Sequence, residues 1–182
     1  AMPIFAPNTP QYIIDKLKLE NIDFRFGKTI ISHKKECVSA YNVAVSQSFV
    51  IHNKRFTDAV IMENLQEKEY IHVNQSFSRC STMVLPKDNF ITSDKGICSK
   101  LEKLYINCLY VNPEQIILTG FNYGLIGGCM GFDGKHVFIC GSLKYFSEGN
   151  KVGNWITNLG WDIVELDDTP LFDGGGLLFL DK

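Results

Sequence analysis

Two side chains in this sequence could carry out covalent or proton chemistry near neutral pH, and five more could hold the molecule they act on. Cys80, in the run Ser78-Arg79-Cys80-Ser81-Thr82, is the candidate nucleophile. The thiolate is the reactive form of cysteine, and the Arg79 charge beside it would favour that form. His52, closing the run Phe49-Val50-Ile51-His52, is the candidate acid and base. Asn42, Asn53 and Asn122 each both donate and accept hydrogen bonds, which suits orienting a ligand. Cys129 follows the pair Gly127-Gly128, and Asp173 precedes Gly174-Gly175-Gly176, where its carboxylate could meet a cationic ligand. Each of these residues also has a structural reading. A free cysteine, or a histidine closing an apolar strand, is at home in a core, and asparagine is a turn residue.

The glycine pair does not read as a phosphate cradle. In "FNYGLIGGCMGFDGKHVFICGS", residues 121–142, no Lys-Ser/Thr pair follows it, and it leads into a strand pattern rather than a helix. Close packing of chain segments is what glycines at this place support. The cysteines, Cys37, Cys80, Cys98, Cys108, Cys129 and Cys140, contain no C-x-x-C and no zinc spacing with histidine. Neither a metal nor any other cofactor is expected. With no signal-like leader before them, they read as reduced thiols of a cytoplasmic protein.

A formal net charge of −2 argues against a basic face for nucleic acid. No apolar run approaches the roughly eighteen residues that a membrane span needs. The 182 residues, 45% hydrophobic and 21% charged, suit one domain over 1–182 with a sizeable core.

The elements that must position the candidate side chains follow one order, strand–strand–helix–strand. It is clearest where Asp133-Gly134 joins "CMGFD" to "HVFICG" as a hairpin. Val152, Trp155, Ile156 and Leu159 then share one helix face, Gly160 stands where a left-handed cap is needed, and "WDIVEL" is a strand. The same order runs through "NVAVS", "SFVIHN", "TDAVIMENLQEK" and "YIHVN". It runs again through "STMVL", "NFITS", "DKGICSKLEKL" and "INCLYVN". Asp58 and Ser93 or Asp94 are placed as helix caps. At the start, "PIFA" is a strand, Thr9 a cap with Pro10 at the first helical position, "QYIIDKLKL" a helix and "IDFRFG" a strand. At the end, "DGGGLLFL" is a strand that could pair with the N-terminal one and protect both edges. The units span about 38–75, 78–112 and 121–167, with 168–182 joined to 1–27 as a fourth.

This order resembles the penteins, the guanidine-modifying enzyme fold. The segment from Gly127-Gly128 through Asp133-Gly134 to Gly141-Ser142 is similar to their typical repeat. "AYNVA", "HNKRFTD", "RCST", "ITSDKGI" and "NYGLIGG" extend the likeness to an uncharacterised pentein family, covering the chain from about Tyr41 onward. The resemblance implies an α/β fold, a propeller of repeated units around a pseudo-symmetry axis with a central site, apparently one repeat short.

It also implies amidinotransferase-like or deiminase-like chemistry. Catalytic penteins attack an amidine carbon with a cysteine, move protons with a histidine and hold the guanidinium with carboxylates. Here Gly174-Gly175-Gly176-Leu177-Leu178-Phe179 holds neither the cysteine nor the histidine of their last unit. Ile126 and Cys129, not carboxylates, flank the glycine pair, and His52-Asn53-Lys54 replaces a His-x-Asp context. The expectation is therefore a small guanidino or amidino ligand, bound, with its modification left open, among Cys80, His52, Asn42, Asn53, Asn122, Cys129 and Asp173. The alternative is a non-catalytic interaction or assembly factor with a protein partner or a second copy of itself.

Overall fold

The computed structural model describes residues 2–180. The chain opens with β1 (Ile4–Phe5), α1 (Gln11–Leu19) and β2 (Arg25–Phe26), the two strands pairing in parallel. A short helix α2 (Lys35–Val38) leads to β3 (Ala44–Val45), β4 (Phe49–His52), α3 (Ala59–Asn64) and β5 (Glu69–His72). Then come α4 (Ser78–Ser81), β6 (Thr82–Leu85), β7 (Asn89–Thr92), α5 (Lys95–Lys103) and β8 (Cys108–Tyr110). The last group is β9 (Met130–Phe132), β10 (His136–Ile139), α6 (Gly149–Asn158) and β11 (Asp162–Glu165).

The three complete groups share one topology: the middle strand pairs antiparallel with the strand before it and parallel with the strand after the helix. Connection length is the cause. A tight turn can return the chain only antiparallel, whereas a helical crossover brings it back parallel. The Asp133-Gly134 turn works as expected: Gly134 takes φ +100°, and the Asp133 carboxylate accepts from the backbone N–H of Lys135 and His136. Those bonds hold its pKa down, to about 2.

The middle strands β4 and β7 are buried on both faces, whereas β10 alternates and buries only the face of Val137 and Ile139. Val50, Ile51, Phe90, Ile91, Val137 and Ile139 are all within 1% of full burial. One apolar cluster joins Ala44, Ile51 and Ile71 to Phe90, Ile97 and Leu101, and a larger one joins Met83 and Ile91 to Ile126, Val137 and Ile156. Each sheet thus packs on its successor. No helix among the described residues is long and apolar enough to cross a membrane.

Most caps match the sequence. Asp58 accepts from Val60 N–H, Asp94 from Ile97 N–H, and Gly160 takes φ +87° after α6. Two expectations are corrected. Pro10 is the N-cap of α1, not its first helical residue, and the Thr9 hydroxyl donates back to the Ala6 carbonyl instead of capping. The stretch 173–180 forms no strand and does not complete the N-terminal pair. Its backbone bonds to Gly128 and Met130, beside β9, because three glycines and the turn at Gly175–Gly176 divert the chain. Residues 181–182 lie outside the described residues.

The segment after β2 is fixed to the first sheet by one carboxylate. Asp58, 1% exposed, accepts through Oδ2 from the N–H of Lys28 (2.9 Å) and Thr29 (2.7 Å) and through Oδ1 from Val60. The Tyr41 hydroxyl lies 3.2 Å from Oδ2 and donates to the Thr29 carbonyl; burial and the Asp58 charge push its pKa up to about 12. Burial opposes ionisation of Asp58, but the hydrogen bonds from Thr29, Val60 and Lys28 outweigh it and lower its pKa.

Removing this acceptor should cost far more than removing a surface ion pair. Asp58→Ala is expected to lose about 3 kcal/mol in denaturant unfolding. Glu63→Ala, which breaks the exposed Lys28–Glu63 pair, should lose about 0.5 kcal/mol or less. Because the folded pKa of Asp58 is depressed, its contribution is complete above about pH 4 and lost as pH falls through the folded value. Asp58→Ala should flatten that acid limb.

Candidate functional site

Three segments meet at the glycine pair: α4, the 3-10 turn Ile126–Cys129 and the C-terminal stretch from Asp173. The contact is backbone on backbone. A side chain at Gly127 would strike the Arg79 carbonyl and the Thr82 backbone, and one at Gly128 would strike the Asp173 carboxylate. The close-packing reading of the pair is what the structure holds.

Two charged side chains clamp the junction. Arg79 aims its guanidinium at three backbone carbonyls: Nη1 to Gly127 (2.7 Å), and Nη2 to Leu177 (3.2 Å) and Met130 (3.4 Å). Burial lowers its pKa, but an arginine stays charged. Asp173, 5% exposed, accepts from Leu125 N–H through Oδ2 and from Gly175 N–H through Oδ1, both at 2.9 Å. Among the described residues it forms no ion pair within 4 Å.

Cys80 sits at the edge of this junction, half-buried. Asn42 grips it twice: Oδ1 accepts from Cys80 N–H and Nδ2 donates to Sγ, both at 3.0 Å. The Asn42 carbonyl also accepts from Arg79 N–H, and Sγ lies 3.9 Å from the Gly175 carbonyl. Burial raises the Cys80 pKa, and the nearby Asp173 charge adds to the rise. The amide of Asn42 and the charge of Arg79 pull the other way without prevailing. The Arg79 charge favours the thiolate, but burial and the Asp173 charge outweigh it. Cys80 rests as a neutral thiol.

Cys129 is fully buried, with Sγ 3.4 Å from the Leu125 carbonyl, and burial together with Asp173 drives its pKa up. It is a core thiol; the pKa of Cys140, only partly buried, is likewise raised by burial and by the Asp173 charge.

His52 stands apart from the thiol. It is fully buried, with Nε2 2.8 Å from the Ser76 carbonyl and Nδ1 2.7 Å from the Thr57 hydroxyl. A carbonyl only accepts, so Nε2 carries the proton and Nδ1 accepts from Thr57, which also meets the Tyr70 hydroxyl. Desolvation lowers the pKa, keeping the ring neutral. As placed, His52 holds β4 to the turn before α4 and is not a base for Cys80. Asn53 is structural too, donating to the Asn74 carbonyl and accepting from Arg55 N–H. Asn122 is exposed on the bend before Gly124 and makes no hydrogen bond among the described residues.

Of the expected residues, then, the fold brings together Cys80, Asn42, Cys129 and Asp173, and leaves out His52, Asn53 and Asn122. The clamping role of Arg79 was missed, since its partners lie 48 to 98 positions away in sequence. Among the described residues no group of three His, Cys, Asp or Glu side chains could hold a metal ion.

The chain is mixed α/β, with one two-stranded and three three-stranded sheets among the described residues, and a structural likeness makes its fold pentein-like. The structure is similar to that of C. jejuni agmatine deiminase, with a TM-score of 0.59 and 8% identity. The match covers 94% of this chain and 64% of that one, so the chain spans less than two thirds of its length. The chain belongs to DUF6873, a family of unknown function, which it matches over residues 2–178. A comparison with the curated proteins finds no match.

Two outcomes check this description. Gly128→Ala must displace the Asp173 carboxylate and should cost about 3 kcal/mol. Gly153→Ala, in α6 with its nearest neighbour at 3.7 Å, should instead add about 0.8 kcal/mol. Second, the lowered folded pKa of His52 means the unfolded chain binds its proton first. Stability should therefore fall as pH drops below about 6.5, and His52→Gln should remove that slope in urea titrations at stepped pH.

Proposed function

We propose that this protein binds a small guanidino or amidino cation at the Asp173 carboxylate, beside Cys80 and Asn42, without cysteine-based turnover. The observation that carries the reading is Asp173: a carboxylate 5% exposed, bonded only to backbone N–H groups, with no ion-pair partner within 4 Å among the described residues. A planar cation suits such a carboxylate through paired charge-assisted hydrogen bonds. The likeness to C. jejuni agmatine deiminase supports the ligand class at the level of fold alone. Against turnover stand the neutral Cys80 thiol and the absence of a histidine bonded to it. In the same reading the sheets surround an axis that the Cys80–Asp173 junction faces, residues 1–182 act as one domain, and the reduced thiols belong to a cytoplasmic protein.

A second reading, an interaction or assembly face, is favoured by one feature. Ile117, Leu166, Pro170 and Phe172 line an open apolar cleft, and Ile117, Leu166 and Phe172 are each about half exposed. It predicts a concentration-dependent rise in mass by light scattering that Phe172→Ser abolishes.

Calorimetric titration with agmatine tests the first reading. Binding in the millimolar range or tighter is expected. Asp173→Asn, folded by circular dichroism, should abolish it, and Cys80→Ser should retain it with no product formed. Agmatine that fails to bind, or that binds Asp173→Asn equally well, rejects the site.

A further inference from the structure

We propose that residues 174–180 form a strap that opens and closes over the Cys80–Asp173 junction, hinged at Gly174–Gly176. Its purpose, admitting a ligand, rests on the binding reading above, but its motion does not.

The anchor and the strap are built differently. Up to Asp173 the chain is fixed: Leu171 is 1% exposed, and the N–H groups of Phe172 and Asp173 bond to the carbonyls of Cys140 and Ile117. Beyond it come three glycines, with Gly175 at φ +90° and Gly176 at φ +93°. Glycine reaches and leaves such conformations with no side chain in the way. The strap then has little apolar grip. Leu178 is 76% exposed, Phe179 and Leu180 are each over 40% exposed, and the ring contact is Phe179 on Phe138 at 5.1 Å.

What holds the strap down is a latch of polar contacts. Gly174 and Gly176 donate to the Gly128 carbonyl, Leu177 donates to Met130, and Arg79 donates to the Leu177 carbonyl. Segments held by partly exposed hydrogen bonds and few buried apolar contacts open at far lower free energy than core strands. Beneath the latch lie the groups of interest. The Gly175 carbonyl faces the Cys80 thiol, Gly175 N–H occupies Asp173 Oδ1, and Gly176 rests against the Arg79 guanidinium. Lifting the strap would free one carboxylate oxygen, uncover the thiol and release part of the guanidinium. Closing it over a bound cation would restore the latch.

The test needs no ligand. Amide exchange of 174–177 and iodoacetamide alkylation of Cys80 are followed in the native protein, with the fully buried Cys129 as internal control. Gly176 and Leu177 amides are expected to exchange at least about a hundredfold faster than those of Val137 and Ile139. Gly176→Ala, whose new Cβ would lie 2.7 Å from the Arg79 guanidinium at a positive φ, should speed Cys80 alkylation about tenfold and leave Cys129 unchanged. Strap amides as slow as those of β10 overturn the proposal, even if the variant fails to fold. So does an unchanged Cys80 rate in a folded variant whose strap exchanges faster. Agmatine is a separate readout. If it binds while Cys80 alkylation and strap exchange stay the same, the binding reading stands and the strap's role over the ligand falls. If the strap opens but agmatine does not bind, only the binding reading falls.

Discussion

The approach of three chain segments at Gly127-Gly128 is the constraint on which the site depends. Backbone atoms can come this close only where there is no side chain, and once there they bring carbonyls together from different parts of the chain. Clustered carbonyl dipoles call for a positive charge, and Arg79 supplies it with three hydrogen bonds. Charged donors to carbonyls are stronger than neutral ones, so a half-buried guanidinium is tolerated where a hydroxyl would leave acceptors unmet. The glycines create the gap and the arginine closes it.

The fold solves a recurring problem with one device. Short strands and loops leave backbone N–H groups that no ladder reaches, and a buried carboxylate gathers one from its own turn together with others distant in sequence. Asp58 does so for Lys28, Thr29 and Val60, and Asp173 for Leu125 and Gly175. The difference is what else is near. Asp58 is surrounded by donors and a tyrosine, which makes it a structural staple. Asp173 faces Cys80, Cys129 and Cys140, whose burial near a negative charge keeps them protonated. The junction thus favours the thiol form of these cysteines, and among the described residues its carboxylate makes no ion pair within 4 Å.

Legibility divided along the range of the interactions involved. The hairpin at Asp133-Gly134, the caps at Asp58 and Asp94, the left-handed Gly160 and the face of α6 depend on residues within a few positions, and the sequence pattern showed them. Thr9 misled because a hydroxyl before Pro10 reads as a cap, whereas its N–H and its hydroxyl both turn back to the Ala6 carbonyl. The C-terminal stretch misled because its apolar residues read as a strand, but a strand needs an edge to join. The glycine turn aims this one along β9, away from β1. The candidate site was legible as a set of residue types and not as an arrangement. His52 and Cys80 look like partners in a list, yet His52 bonds to Thr57 and Ser76 instead.

By itself the sequence determined the main strands and long helices, the order strand–strand–helix–strand and the identity of the polar residues able to bind or react, but not the short helices α2 and α4 or the strandless C-terminal stretch. The features it determined follow from local conformational preference and from periodic burial. Only the tertiary structure decided that Asn42 grips Cys80, that Arg79 hydrogen-bonds three carbonyls, and that Asp173 stands buried with no ion pair within 4 Å among the described residues. Those outcomes depend on which groups are left unsatisfied when distant segments meet, and a hydrogen bond across tens of residues leaves no trace in local spacing. Proton affinity and the choice between chemistry and support are set at that step.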